Sequence, residues 1–394
     1  MTQPIKRTMV AMRVIFFFLF FSVLVYTPRI PDIKDHLHIS LATLGQIFMF
    51  TGLFGFFTAK IIAKIILKLS SRRAILVAVP FTMGGGTLIA LAQNSFIFII
   101  GLISLGFGSF LIHTAVNTQA NTLRERTGTN QLANLSAITN TGALVAILVG
   151  SILLKALTTA SYIIGVQILT STVFLIAHFY LPPDDLVVEG DKVFQSKMPW
   201  FGKDLKQFWI IVLALFASTT AEFSVSDWGA ILSRDDYKVK APFYLLPFIF
   251  FQAGIVVSRF STNALSKRFG EVSYVRYSAM GASIIWGTAI ESEAHMSHTN
   301  QALTILILVL SFFVAGCGVG PVWPTMLSQS TRTKYPVSLV LSRLFSITSL
   351  SFVFGPGLVA SLSKITSLPN ALMVPITSLF VVGLLSTKAL ARTE

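Results

Sequence analysis

Glu222 and Asp227 lie in the stretch AEFSVSDWGA, residues 221–230, with FWIIVLALFASTT before it and ILS after it. Of the 16 acidic residues, these two have apolar sequence on both sides. A carboxylate in such a setting is costly while ionised, so its natural chemistry is to take up and release a proton or to hold a polar solute. Counted from Trp209 at about 1.5 Å per residue, Glu222 lies roughly 20 Å and Asp227 roughly 27 Å along a helix. An apolar layer about 30 Å thick puts Glu222 past the midplane and Asp227 near the outer mouth. Their spacing turns them roughly 140° apart, which excludes a paired acid/base site. Ser218, Glu222, Ser226 and Gly229 share one face, which is expected to line a central cavity. Glu222 reads as a coupling or binding carboxylate, or as the partner of a group on a neighbouring helix. Asp227 reads the same way, with a gate contact as the other option. Trp228 either stacks on a solute ring or anchors at the membrane interface.

Further polar residues sit inside apolar segments. His113 has the side chain suited to shuttling protons near neutral pH; a position about four residues from a helix end would instead make it a solvated histidine. Asn117 stands beside it. Asn140 and Gln252 could hydrogen-bond a hydroxylated solute or a neighbouring helix. Arg343 could snorkel to the interface or pair with an acid at an inner gate. Arg29, at an outer segment end, suits a mouth contact or a lipid phosphate. Trp323, between two prolines in AGCGVGPVWPTM, reads as a gate aromatic or a packing residue. Glu291 and Glu293 stand at a segment end, and Cys317, the single cysteine, reads as a small buried residue. The sequence has no GxxxxGK[ST] loop, no GxSxG elbow and no His/Cys cluster, so no enzyme activity, cofactor or metal is expected.

The elements that must position these residues are membrane helices. Hydrophobic residues make up 54% of the 394, and charged ones 12%, against about 25% in soluble domains. Mean hydropathy is +0.75. Twelve segments are apolar enough to span, near 10–28, 41–61, 74–92, 96–116, 134–154, 161–181, 208–232, 241–260, 273–290, 301–323, 337–361 and 370–390. The first, preceded by Lys6, Arg7 and Arg13, mimics a signal peptide but is followed by YTPRIPD, so it is read as a retained span. A polar stretch divides the chain into a six-helix bundle at 1–181, a cytoplasmic linker at 182–206 and a second bundle at 207–394.

With the N-terminus in the cytoplasm, 23 of the 30 Lys and Arg fall on the cytoplasmic side and 7 on the other. That bias places both termini and the linker inside. It also accounts for the net charge of +14 without a nucleic-acid partner. The expected partners are membrane lipid, a small solute and protons, for a monomer in the cytoplasmic (inner) membrane. AKIIAKIILKLSSRRAIL, 59–76, and RFSTNALSKRFGEVSYVR, 259–276, form a weak repeat that sets Leu69–Ser70 opposite Phe269–Gly270. Six plus six spans with related halves suit alternating access.

On these residues the chain resembles the major facilitator superfamily, whose loop signature, Gly then Asp-Arg-x-Gly-Arg-Arg, follows spans two and eight. KRFG, 267–270, matches the second copy in part; LKLSSRR, 67–73, keeps the basic residues of the first and lacks its acid and glycine. Leu67 and Lys267 stand where the Asp is usual, which makes Lys267 and Arg268 gate candidates by resemblance. PRIPDIKDHLHISLATLG (28–45), GFGSFLIHTAVNTQA (106–120), AEFSVSDWGAIL (221–232) and RFSTNALSKRFG (259–270) are similar to the YbjJ-like group related to fucose permeases. His113 and Gln119 stand where that group tends to carry acids, so a proton role there is lost, passed to His113 or taken by another helix. The resemblance implies an all-α fold of twelve transmembrane helices in two six-helix halves. It implies a secondary transporter of a small polar, sugar-like solute; Glu222 is the residue expected to couple it to protons, which would make it a symporter. The rival readings are a drug or metabolite exporter, which the lack of a Gly-Pro motif in SAITNTGALVAILVGS disfavours, and a non-transporting membrane sensor.

Overall fold

The computed structural model describes residues 3–127, 132–181, 199, 202, 205–241, 243–295, 300–330, 335 and 337–390. Every long element among them is a helix. They run α1 (Gln3–Val23), α2 (Ile30–His36), α3 (Leu41–Leu69), α4 (Ser71–Ala90), α5 (Ser95–Thr127), α6 (Leu132–Ile152) and α7 (Thr159–Ala177). After the linker come α8 (Lys206–Ile231), α9 (Leu246–Phe269), α10 (Glu271–His295), α11 (Gln301–Val319) and α12 (Val322–Ser330). The chain finishes with α13 (Val337–Thr348), α14 (Ser351–Ser363), α15 (Leu368–Ala371) and α16 (Met373–Ala389). Local chemistry sets their starts: Thr158 caps α7 by accepting from the Ser161 N–H at 3.2 Å, and Asn300 caps α11 from the Leu303 N–H.

Among the described residues, ten stretches are long and apolar enough to cross a membrane. The other two of the twelve expected spans, 41–61 and 273–290, fall within the helices α3 and α10, which are not among those ten.

The chain forms two compact units, Met1–His38 with Phe57–Phe194, and Ile39–Phe56 with Gln195–Glu394. In the first, residues such as Met12, Ile15, Ile75, Leu111, Ile112 and Phe174 build one apolar core across α1, α4, α5 and α7. α4 and α5 approach backbone to backbone, because a Cβ on Gly85 would meet the Leu105 amide. Gln167 holds α7 to α1, accepting from the Ser22 hydroxyl at 2.9 Å and donating to the Ser22 carbonyl at 3.1 Å.

In the second unit, α8 is the most enclosed of the ten stretches: 72% of its apolar window is buried, against 44–56% in the other nine. It packs against α16, α14 and α12. α9 and α11 pack backbone to backbone, since a Cβ on Gly316 would collide with the Phe251 carbonyl.

The repeat appears as matched geometry. Ser70 and Gly270 both adopt positive φ, 73° and 82°. Each accepts in α4 or α10 from the residue four on and donates to the residue four back, through Ile66, Ser70 and Ala74, and Ser266, Gly270 and Tyr274. Glycine holds such a backbone without strain; Ser70, which stands where the signature has lost its glycine, does not.

Candidate functional site

Two features of the second unit's sequence meet at one cation. The first is Glu222, 7% exposed on α8. The second is the break between α11 and α12. In a continuous helix the Gly320 carbonyl would accept from the N–H of residue 324; that residue is Pro324, which has none. Arg259 of α9 takes up both. Its Nε donates to the Gly320 carbonyl at 3.3 Å, and one Nη lies 3.5 Å from Glu222 Oε2, with the Arg and Glu side chains 6% and 9% exposed. A guanidinium at the C-terminal end of α11 is also favoured by the helix dipole. Gly320 itself is enclosed, because a Cβ there would collide with the Ser258 hydroxyl.

This corrects two expectations. Arg259, counted above among the cytoplasmic basic residues, belongs to the interior of α9, where it is a counter-ion. The Ser218–Glu222–Ser226–Gly229 face is packed and not open. Ser218 is fully buried, Ser226 donates to its own helix at the Glu222 carbonyl, and a Cβ on Gly229 would touch Phe312 and Phe248. Gln252 lies seven residues before Arg259 on the same face of α9. It is 2% exposed, and its Oε1 has no hydrogen-bond partner among the described residues.

Asp227 is half-buried on α8, turned away from Glu222. Trp228 is fully buried. Its indole N–H donates to the Pro356 carbonyl of α14 at 3.2 Å, and its ring lies 6.1 Å from that of Phe48 on α3. It therefore ties helices together inside the protein and does not anchor at a headgroup layer.

In the first unit, α5 runs on to Thr127, so His113 is not near a helix end. Its ring stacks on Phe20 at 6.4 Å, and its carbonyl accepts from Asn117 Nδ2 at 2.8 Å. Gln119 bonds the Ser71 hydroxyl at 2.7 Å, joining α5 to the start of α4. Asn140, 2% exposed, donates back to the Ser136 carbonyl, and its Oδ1 is without a partner among the described residues.

Arg29 departs furthest from expectation. It is 2% exposed, and donates to the carbonyls of Leu153, Leu154 and Leu157 at 3.0, 3.1 and 3.3 Å. It also lies over the Tyr162 ring at 5.2 Å and 3.8 Å from Asp32. These are the carbonyls at and beyond the end of α6, so Arg29 caps that helix and is closed to lipid phosphate.

Arg343 donates to the Pro199 carbonyl at 2.6 Å. Trp323 is half-buried and stacks on Phe345 at 5.8 Å. Lys267 and Arg268 are exposed at the end of α9, with Arg268 over the Phe269 ring. Glu293, passed over as a segment-end acid, is fully buried.

Glu222, Arg259 and Gly320 thus bring together a buried acid and a buried base from separate helices. The signal for Gly320 was present in the sequence as Pro324. None marked Arg259, because a basic residue ten positions before a helix end looks like its loop neighbours.

The sequence profile of the Major Facilitator Superfamily matches residues 14–336. The chain is 21% identical over 306 residues to "Uncharacterized transporter y4wD" of Sinorhizobium fredii (strain NBRC 101917 / NGR234), covering 77% of each chain. A variant of the nucleoside transporter NupG has a similar structure, with a TM-score of 0.72 at 14% identity over 98% of this chain and 100% of that one. The human organic anion transporter MFSD10 (TETRAN) gives a TM-score of 0.68 at 14% identity, again over 98% and 100%. With a profile match across most of its length and helices to match, the chain belongs to the Major Facilitator Superfamily and is a multi-pass membrane transporter.

Proposed function

We propose that the protein is a proton-coupled symporter of a small polar solute, working by alternating access in the cytoplasmic (inner) membrane. The observation that carries this is the buried Glu222–Arg259 pair, whose acid stands on the most enclosed helix. Two charges taken out of water are held there by one contact and one carbonyl. Protonating the acid dissolves the pair and changes what holds α8 to α9, so a proton biases one state over another. The reading takes the fold as twelve spanning helices in two six-helix halves, both termini cytoplasmic, and the chain as a monomer. Its resemblance to the YbjJ-like, fucose-permease-related group and its likeness to a nucleoside transporter favour a hydroxylated solute. Asp227, Asn140, Gln252, His113 and Asn117 are the further solute or proton contacts, and Lys267, Arg268, Arg343 and Trp323 the gate residues.

The test is solute-induced proton movement in vesicles, read with a pH-sensitive dye across sugars, nucleosides and sugar acids. Glu222→Gln should abolish proton-driven uptake while solute exchange survives. Unchanged pH dependence of uptake in that variant would remove Glu222 from the mechanism.

A further inference from the structure

Arg259 carries five N–H donors, and among the described residues it makes one hydrogen bond, to Gly320. Its contact with Glu222 is a single 3.5 Å approach, longer than the about 2.7–2.9 Å of a well-made charged hydrogen bond and not bidentate. The guanidinium edge carrying both Nη atoms is therefore held in place through Nε yet only loosely taken. A planar carboxylate is the group that fills such an edge with two parallel bonds. Resting on the transport reading above, we propose that the solute is a monoanionic carboxylate that displaces Glu222 from Arg259, with Glu222 taking one proton as it is displaced.

Charge balance favours this form. Before binding, the site holds Glu222 and Arg259 and is neutral. After binding, it holds the solute carboxylate, Arg259 and a protonated Glu222, and is neutral again. One anion and one proton enter together, and neither state leaves a net charge in the apolar interior, which is what would be costly. A phosphate monoester, carrying about −1.5 to −2 charges at neutral pH, would leave the site unbalanced. The neighbours leave the pair to itself. Of the charged and titratable groups on elements packed against α8, Arg343 is engaged with Pro199, Lys388 is exposed at the end of α16, Lys267 and Arg268 are exposed at the end of α9 and Cys317 is half-buried on α11; Tyr244 is buried just before α9, and Arg234, paired with Asp235, and Asp236 lie in the turn beyond the other end of α8. Asp227, on α8 itself, is turned roughly 140° away. Among the described residues, Arg259 is the cation within 4.0 Å of the Glu222 carboxylate.

The experiment compares glucose with glucuronate, and glycerol with lactate, as matched neutral and anionic probes of the purified protein, by thermal shift and calorimetry at pH 5.5 and 7.5. At least one acid should bind while its neutral partner does not, and its affinity should fall by up to about tenfold per pH unit as pH rises. Glu222→Gln should bind that acid with no pH dependence, since its amide needs no proton to leave Arg259. Arg259→Gln should lose it. The double variant Glu222→Gln, Arg259→Gln, a neutral pair that spares the fold an isolated charge, should stay folded and bind no acid. Binding of a neutral probe with equal or greater affinity, acid binding by the double variant, or no binding by either acid would overturn the proposal. Proton-coupled uptake of a neutral solute, abolished by Glu222→Gln, would leave the transport reading standing and remove this one alone.

Discussion

Two arginines show how one residue type takes different roles by its surroundings. Arg29 has three carbonyl acceptors and an aromatic face around it. Both its Nη atoms donate to a helix end, so it is a fixed part of the fold. Arg259 has one carbonyl and a loose carboxylate, and its charge is exchangeable. Arg29→Lys keeps the charge but cannot reach three carbonyls at once. It should cost about 2 kcal/mol of stability through the bonds lost, read as a lower melting temperature in detergent, with the KM for transport unchanged. A melting temperature equal to the parent's would return Arg29 to the mouth role. The sequence marked both Glu222 and Arg29 as unusual, because a charge beside apolar neighbours is visible in one dimension. It did not show that Glu222 faces Arg259, because that depends on how α8 and α9 are rotated about their own axes.

At the scale of elements, the breaks carry the most information. Pro324 frees the Gly320 carbonyl, and the break it creates becomes a binding partner for Arg259. Pro356 lies inside α14, and its carbonyl receives the Trp228 indole. The two helix-exit turns, at Ser70 and Gly270, share one backbone shape. Ser70, at φ 73° and ψ 156°, occupies a region suited to glycine, at a cost of about 1–3 kcal/mol. Ser70→Gly should therefore stabilise the protein, by about 1 kcal/mol after its own loss of unfolded-state restriction. A melting temperature unchanged or lowered would show that the turn is not strained. The repeat was legible as a 200-residue offset in sequence. The shared turn geometry was not, because a serine and a glycine have different preferences and only the packed loop imposes one shape on both.

At the scale of the whole molecule, charge bias and hydropathy act through the membrane, which reads them along the chain. With Arg259 set apart as an interior counter-ion, 22 of the 30 Lys and Arg still fall on one side and 7 on the other, so both termini are expected in the cytoplasm. In a Cys317→Ser background, Gln93→Cys should react with a membrane-impermeant maleimide in intact cells. Lys267→Cys, at an exposed helix end, should react only after the cells are opened. The reverse pattern would invert the topology.

Composition, the period of the apolar residues and the spacing of basic loops determined that this is an all-helical membrane protein and where most of its helices lie, because each of those properties is local to the chain. They also singled out Glu222, since burying a carboxylate is costly wherever the helix packs. Tertiary structure decided the partners. Whether Glu222 meets Arg259, whether Trp228 faces lipid or Pro356, and whether Arg29 faces solvent or the end of α6 all depend on helix rotation and on contacts between residues tens to more than a hundred positions apart. No local pattern encodes those contacts, because each is the joint result of every face that packs around it.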